Sequence, residues 1–238
     1  MRSLIVTLDG PAGSGKSTVA RLLARRLDLE FLDTGAMYRG LTALCLDHGV
    51  DPGGEPKPIV ALAEAHPLRF DWSQNPPRLY AGDLDITGRL RDEDVTENVS
   101  ALASLTPVRQ VLVRTQQEIG QEHVGLVTEG RDQGSVVFPK AQVKFYLDAQ
   151  PHVRAKRRAQ QLRDAGKPAD EKKILEKIMA RDERDSTRTH GPLICPDDAE
   201  RIDTTDMSLE EVVDLLERKV NERVDMGDAS RAGQEASS

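Results

Sequence analysis

Short apolar runs alternate with amphipathic stretches along most of the chain. The runs are rich in branched residues and stop at polar or glycine positions, which is typical of strands buried on both faces. They cover residues 3–8, 30–32, 124–128, 143–147 and 200–203. Strands that alternate with helices predict an α/β fold, in which a parallel sheet core carries helices on both faces.

Between these runs, apolar residues recur at the spacing of an amphipathic helix. The spacing predicts helices over residues 16–27, 36–47, 106–121, 151–162 and 170–185. Thr106 and Pro107 predict an N-cap and a first-turn proline for the third of them. Ser208 and Glu211 form a capping box, which predicts the start of a terminal helix.

Residues 51–105 break this alternation. Prolines and glycines open the stretch, and strand-like pieces at residues 68–72 and 78–80 flank a turn at residues 75–77. We therefore predict an inserted lobe with its own small β-sheet.

A second region that departs from the core pattern lies near the C-terminal end. The connection at residues 163–169 is rich in helix breakers, which is typical of the tip of a mobile flap. The predicted regions are a core of residues 1–50, 106–150 and 190–225, an inserted lobe of 51–105, a helical lid of 151–189 and a disordered tail of 226–238.

The charge of the chain is unevenly distributed. Hydrophobic residues make up 38% of the 238 residues, enough for a substantial core, and the net charge of −7 argues against general nucleic-acid binding. Residues 151–190 nevertheless hold 12 Lys and Arg against 7 Asp and Glu, which leaves −12 for the remainder. This basic segment indicates either a local anionic ligand or a solvated helical face.

The lengths of the apolar runs and the positions of the cysteines indicate where the protein is located and whether it contains a zinc site or disulfides. No run is long enough to span a membrane and no apolar leader follows Met1, so we expect a cytoplasmic protein without a membrane partner. Cys45 and Cys195 have no His or Cys around them at metal-ligand spacing, so we expect free thiols rather than a zinc site or a disulfide framework.

A phosphate-loop motif follows the first predicted strand and opens the first predicted helix, the context in which it binds a nucleoside triphosphate. Its glycines let successive N–H groups face the phosphates, Lys16 reaches the β and γ oxygens, and the Ser17 hydroxyl ligates Mg²⁺. The predicted nucleotide-binding residues are Gly10, Pro11, Ala12, Gly13, Ser14, Gly15, Lys16, Ser17 and Thr18. A glycine-rich turn that only joins strand and helix is the alternative.

Several protein classes use this loop. Switch GTPases select guanine with an Asn-Lys-x-Asp motif, but none of the three asparagines, Asn75, Asn98 and Asn221, precedes a lysine. Helicases and transporter ATPases usually occupy larger modules. Small-molecule phosphoryl transfer is therefore favoured, and a non-catalytic nucleotide-binding regulator is the alternative from another class.

Arginines stand in three motifs outside the loop, Asp33 to Arg39, Glu129 to Asp132 and Arg181 to Arg188. Two of these motifs follow predicted core strands. Phosphoryl transfer depends on positioning and charge neutralisation, so a cage of guanidinium groups and Mg²⁺ is the apparatus it requires. The third motif could equally form ion pairs on an exposed helix, and the second could be a capping pair.

With the phosphate loop, these motifs and the run from Glu129 to Pro139 make the chain resemble the bacterial-type cytidylate kinases, a nucleoside monophosphate kinase family. The likeness extends from about Leu4 to Leu216. It implies a P-loop NTPase-type core, a monophosphate-binding inserted lobe and a lid that closes over ATP. The implied reaction moves the γ-phosphoryl group of ATP, with Mg²⁺, to CMP or dCMP in pyrimidine nucleotide metabolism. A closing lid and lobe suit a monomer.

The resemblance also implies roles for single residues. Arg39 and Arg131 hold the CMP phosphate with Thr34 nearby, and Arg181 reaches the phosphates and the ribose. Lys16, Arg131 and Arg181 are thereby the implied catalytic residues. From the lid, Arg157 is implied to contact ATP, with Arg154 and Arg158 as alternatives.

Base recognition is implied for four residues, Ser100, Arg109, Asp132 and Arg188, while Asp185 reaches the ribose. Cytosine presents an amine donor beside acceptor atoms, which a carboxylate and arginines can satisfy together. Uracil would set a carbonyl against Asp132 and leave an unpaired acceptor. A kinase for UMP or AMP is the nearest alternative enzyme. Gln133 replaces the methionine of many relatives, without an expected effect on the chemistry.

Overall fold

The structure is a computed structural model and describes residues 4–235. Its strands in chain order are β1 (Leu4–Asp9), β2 (Glu30–Asp33), β3 (Leu68–Asp71), β4 (Arg78–Ala81), β5 (Leu84–Asp85), β6 (Gly125–Glu129), β7 (Val143–Asp148) and β8 (Glu200–Asp203). Its helices are α1 (Lys16–Arg26), α2 (Thr34–Asp47), α3 (Pro56–Ala65), α4 (Glu93–Leu102), α5 (Thr106–Glu122), α6 (Pro151–Asp164), α7 (Glu171–Thr187) and α8 (Leu209–Glu235).

Five strands form one parallel sheet in the order β2-β6-β1-β7-β8. This order confirms the predicted α/β core. The register pairs Asp33 with Glu129 and Leu8 with Glu129, so the strands β1, β2 and β6 end at the same edge of the sheet. That edge is where ligands bind in open parallel sheets.

Apolar side chains fill both faces of the sheet. One core lies under α1 and α8 and includes Leu23, Phe145 and Leu216. The other involves α2 and α5 and continues into the insert through Ile59 and Leu79. Each of these five side chains is essentially inaccessible to solvent.

Gly40 lies where the insert meets α2. A Cβ at this position would lie 2.6 Å from Cδ2 of Leu79 and 2.9 Å from Cδ1 of Ile86. Both neighbours belong to residues 51–105, so the glycine lets the three-stranded sheet β3-β4-β5 pack directly on the backbone of α2. The insert therefore shares a core with α2.

The insert is more helical than its sequence pattern predicts, because α3, α4 and a 3₁₀ turn at Thr87–Arg91 accompany its sheet. Two prolines, Pro56 and Pro58, open α3. They stand in its first turn, where a missing N–H costs nothing because that N–H has no helical partner.

The starts of two helices also differ from the predictions. The helix α2 begins at Thr34 because the Asp33 carboxylate accepts a hydrogen bond from the N–H of Ala36 at 2.8 Å. The N-cap of α5 is Leu105, not Thr106, because the Leu105 carbonyl accepts the first helical hydrogen bond.

The helix α8 continues to Glu235, into the residues from 226 onward for which the sequence predicts a disordered tail. Extending a formed helix costs much less than starting one, and this segment contains several good helix formers. Residues 236–238 lie outside the described residues. The Ser208 and Glu211 capping box at the start of α8 is confirmed by both of its hydrogen bonds. Within residues 4–235, no helix is long and apolar enough to cross a membrane.

Candidate functional site

The phosphate loop connects the end of β1 to the start of α1. Gly10, Gly13 and Gly15 have positive φ values of 146°, 78° and 88°, which residues with a side chain rarely adopt. A Cβ on Gly10 would also overlap the carbonyl oxygen of Leu147 on the neighbouring strand. The glycines are therefore required by the course of the backbone.

Lys16 lies beneath the loop and is 4% exposed. Its Nζ donates to the carbonyl oxygen of Pro11 at 2.7 Å and to Oγ of Ser14 at 3.2 Å. Burial, and then the neighbouring Arg131, lower the pKa of Lys16 to about 7. An anionic ligand at this place would stabilise the ammonium form.

One amide of the loop already binds an anion. Oδ1 of Asp182, on α7, accepts a hydrogen bond from the N–H of Ala12 at 2.9 Å. Arg154, on α6, donates to the carbonyl oxygen of Ala12 at 2.7 Å and to the Asp182 carboxylate at 2.5 Å. A carboxylate oxygen thus occupies a position that a phosphate oxygen can take, which shows that the loop fits an anionic group.

A second carboxylate faces the loop from the end of β6. Oγ of Ser17 donates to Oε1 of Glu129 at 2.7 Å, and Oγ1 of Thr34 donates to the carbonyl oxygen of Glu129 at 2.7 Å. Burial, and then Glu129, raise the pKa of Asp33 to about 6. Oxygen atoms of this kind suit Mg²⁺. Thr34 is 3% exposed, and its hydroxyl donates its hydrogen bond to the backbone carbonyl oxygen of Glu129.

Three arginines surround Asp185. Nε of Arg131 donates to its Oδ2 at 3.0 Å, Nε of Arg181 lies 3.8 Å from the same oxygen, and Arg188 lies 3.7 Å from Oδ1. Burial alone would raise the pKa of Asp185, but the three guanidinium groups outweigh it and lower the pKa. Burial, and then Arg131, lower the pKa of Arg181 to about 9. With three guanidinium groups around one carboxylate, the cluster can bind a further anionic group.

A second buried cluster adjoins the first through Arg188. Asp132 pairs with Arg109, both 4% exposed, and its Oδ1 lies 3.9 Å from Arg188. The Arg109 guanidinium lies 5.5 Å from the centre of the Tyr38 ring. A Cβ on Gly191 would overlap the Asp132 carboxylate, so this glycine closes the chain tightly over the pair.

Donors for a ligand remain in both clusters. Nε of Arg181 and one terminal nitrogen of Arg188 are buried and have no hydrogen-bond partner among the described residues. Unpaired buried donors cost free energy in the absence of a ligand. Arg188 lies near both Asp185 and Asp132, so the unpaired donors are available where the two clusters meet.

The structure brings most of the predicted site residues together, with two exceptions. Ser100 lies on α4 and makes no hydrogen bond to the described residues of either cluster. Arg157 donates to the carbonyl oxygen of Thr204 at 2.6 Å, in the connection before α8, whereas Arg154 contacts the loop. Contact with the nucleotide through Arg157 stays a prediction.

The sequence patterns assign no role to four carboxylates that lie in the site or beside it. Asp9, Asp33 and Glu129 end β1, β2 and β6, and this position at the carboxyl edge of the sheet could have identified them. Asp182 had no such signal, because a helical position next to Arg181 does not show that it reaches Ala12.

Kinases that use a phosphate loop to move phosphoryl groups between small molecules are the class that this fold and this site define. Within that class, the chain belongs to the cytidylate kinase family, because the family model described as "Cytidylate kinase" matches residues 6–222.

Known relatives support the assignment along the whole length. A cytidylate kinase of Streptococcus suis (strain 05ZYH33) is 44% identical over 226 residues, which cover 94% of this chain and 100% of the relative. A cytidylate kinase of Enterococcus faecalis (strain ATCC 700802 / V583) is 40% identical over 94% of this chain and 98% of its own length. A shikimate kinase structure from Bacteroides thetaiotaomicron covers 92% of this chain and 98% of its own, at 10% identity and a TM-score of 0.45, too low to support an argument.

Proposed function

We propose that this protein transfers the γ-phosphoryl group of ATP to CMP and dCMP, giving ADP with CDP or dCDP. The observation that carries the proposal is the continuous pair of buried clusters, with Arg131 and Asp185 at one end and Arg109 and Asp132 at the other. Family membership supports the same substrate class. We also propose that the protein acts as a cytoplasmic monomer.

The donor nucleotide binds at the phosphate loop. Its oxygens replace the Asp182 carboxylate at the N–H of Ala12, and Lys16 turns from the Pro11 carbonyl toward the β and γ oxygens. Ser17, beside Glu129, would hold Mg²⁺, which would neutralise part of the phosphate charge.

The acceptor lies between the two clusters. Its phosphate is bound by Arg39, Arg131 and Arg181, and Thr34 lies beside them. The pKa of Arg39 is lowered by burial, and Asp33 and then Glu129 oppose that shift. The acceptor phosphate therefore stabilises the charged form of the buried Arg39, and the charge of the site favours binding of that phosphate.

The base of the acceptor is recognised by the second cluster. Asp132 accepts from the cytosine amine, while Arg109 and Arg188 donate to its ring nitrogen and carbonyl oxygen. Asp185 contacts the ribose, and Ser100 approaches the base from the insert. Uracil places a carbonyl against the Asp132 carboxylate, which leaves both acceptors unpaired.

The reaction requires no general base, because the acceptor phosphate is already ionised near neutral pH. An acceptor oxygen attacks the γ-phosphorus in line, and the bond to the β-phosphate oxygen of ADP breaks. Lys16, Arg131 and Arg181 stabilise the charge of the transferring group. The lid helices α6 and α7 exclude water, so that ATP is not hydrolysed.

Binding of ATP will weaken as the pH rises above 7. Lys16 has a pKa of about 7 in the free protein, and the triphosphate binds its ammonium form, so binding takes up a proton at alkaline pH. For one linked proton, Kd for ATP increases by up to about tenfold per pH unit. Calorimetry between pH 7.5 and 8.5, where the γ-phosphate is ionised, measures this slope and the proton uptake. Lys16→Met serves as the control that abolishes it, and a flat Kd in the wild type contradicts the assignment.

A coupled assay of ADP release tests the proposed function. Mg²⁺-ATP is combined with CMP, dCMP, UMP, AMP, GMP or dTMP, and each rate is compared with a blank without acceptor. Turnover confined to CMP and dCMP supports the proposal. Preference for another monophosphate would replace the substrate, and nucleotide binding without acceptor-dependent release would indicate a non-catalytic regulator.

A further inference from the structure

Asp9 is a buried carboxylate with no role in the proposed chemistry. It ends β1, directly precedes Gly10 and is 1% exposed. Its Oδ1 accepts from the N–H of Gln133 at 2.8 Å, and its Oδ2 accepts from the N–H of Gly134 at 2.7 Å. Burying a carboxylate is costly, and two backbone donors compensate only part of that cost.

The two amides that Asp9 binds follow directly after Arg131 and Asp132 in the chain. On the other side of this pair, the N–H of Gly130 donates to the carbonyl oxygen of Leu8 at 3.0 Å. The end of β1 therefore holds the backbone immediately before and immediately after Arg131 and Asp132. These two residues carry the acceptor end of the site, whereas β1 leads into the phosphate loop.

Further contacts fix the backbone of residues 130–134, which is called the turn below. The Gln133 side chain is 1% exposed, and its Oε1 accepts from Oγ1 of Thr128 at 2.8 Å. Its Nε2 donates to Oε1 of Gln116 at 3.1 Å. Gln133 thus anchors the turn to β6 and α5, and Asp9 is the link between the turn and the phosphate loop.

We propose that Asp9 is a positioning residue that keeps Arg131 and Asp132 at a fixed place relative to the phosphate loop. The proposal rests on the proposed function, since it concerns the alignment of the acceptor with the donor. The reacting oxygen and the γ-phosphorus must meet within a few tenths of an ångström of the productive geometry. A carboxylate that binds two consecutive amides supplies this rigidity at the junction of the two sites.

The charged surroundings of Asp9 favour a proton-sensitive link. Burial raises its pKa to about 6, against the two amide hydrogen bonds, while Asp132 raises it further and Lys16 lowers it. The thiol of Cys195 is a further titratable neighbour, Tyr146 is the register partner of Asp9 on β7, and the Lys144 side chain packs beside Gly134. Below pH 6 the protonated carboxyl loses one of its two acceptor positions, so the turn is held less firmly.

The experiment compares Asp9→Asn with Thr7→Val. Thr7 lies two residues earlier on β1, and its buried Oγ1 has no hydrogen-bond partner among the described residues. Its replacement by Val removes a polar atom from the same environment without removing a hydrogen bond to the turn. Both variants are assayed with CMP and UMP after thermal melting has shown that they are folded.

Loss of one charge-assisted hydrogen bond corresponds to on the order of a tenfold effect. We expect Asp9→Asn to raise KM for CMP about tenfold and to lower the preference for CMP over UMP about tenfold, with Thr7→Val near the wild type. Equal losses with both bases, at an unchanged KM for CMP, would overturn the proposal in favour of a purely structural role.

Two further measurements test the inference: one uses the wild type without a variant, and the other does not depend on an activity assay. In the wild type, the preference for CMP over UMP should fall as the pH decreases through about 6, and a constant preference there contradicts the proposal. Hydrogen exchange at the amides of Gln133 and Gly134 should accelerate in Asp9→Asn but not in Thr7→Val, and unchanged exchange contradicts it as well. If the wild type binds CMP without turnover while exchange responds as expected, the proposed function fails and the positioning link stands.

Discussion

Arg131→Ala will lower kcat for CMP by about 10³-fold. The guanidinium of Arg131 donates to Asp185 at 3.0 Å and lies near Lys16, whose pKa it lowers, so it stands between the donor and the acceptor sites. Its positive charge neutralises part of the negative charge on the transferring phosphoryl group. Because this interaction is strongest in the transition state, kcat should change more than KM for ATP.

The measurement is a steady-state assay with CMP and Mg²⁺-ATP, with Arg184→Ala as the matched control. Arg184 lies on α7 and is exposed, and among the described residues it donates only to the carbonyl oxygen of Ala180 in its own helix, so its loss should leave kcat unchanged. Arg131→Lys restores the charge without the planar fork and should recover only part of the rate. Turnover of Arg131→Ala within threefold of the control would contradict the arginine cage.

Asp132→Asn will reduce the preference for CMP over UMP by about 10²-fold or more. The carboxylate is 4% exposed and has Arg109 and Arg188 as its partners. An amide in its place presents a donor to the uracil carbonyl and removes the charge that accepts from the cytosine amine. The change therefore acts on both substrates in opposite directions.

Competition between CMP and UMP at equal concentration measures this ratio directly. Asp164→Asn, at the end of α6, is the control, because it also removes one negative charge, and the Asp164 carboxylate accepts its hydrogen bond from Gln160 on the same helix, not from a site residue. Weakening the buried pair with Arg109 is expected to lower stability by about 1–3 kcal/mol, so the melting temperature is recorded in parallel. Parallel losses with both nucleotides would show that Asp132 does not distinguish the bases.

The regular elements of the core were predictable because their local sequence pattern agrees with their place in the fold. Residues 143–147 are apolar except for Lys144, and runs of this kind form strands where both faces of the sheet are covered. The insert was less predictable. Its helix α3 begins with prolines that locally resemble a loop, and only packing of Ile59 against the shared core selects the helix.

The candidate site also has a part that the sequence predicts and a part that it does not. The phosphate loop and the arginine motifs follow from sequence because the required residues are consecutive or one turn apart. The contacts of Asp9 with Gln133 and of Asp182 with Ala12 join residues 124 and 170 positions apart. Such contacts depend on how the strands are ordered and on how the lid folds over the loop, and no local pattern contains that information.

The insert has a consequence for engineering. Because Gly40 brings Leu79 and Ile86 onto the backbone of α2, removal of residues 51–105 would strip one wall from a core that also contains Met37 and Leu41. A truncated chain would expose a large apolar surface and would be prone to aggregate. A minimal enzyme cannot be obtained by cutting out this segment alone, and any transplant of a foreign insert must bring side chains that cover α2.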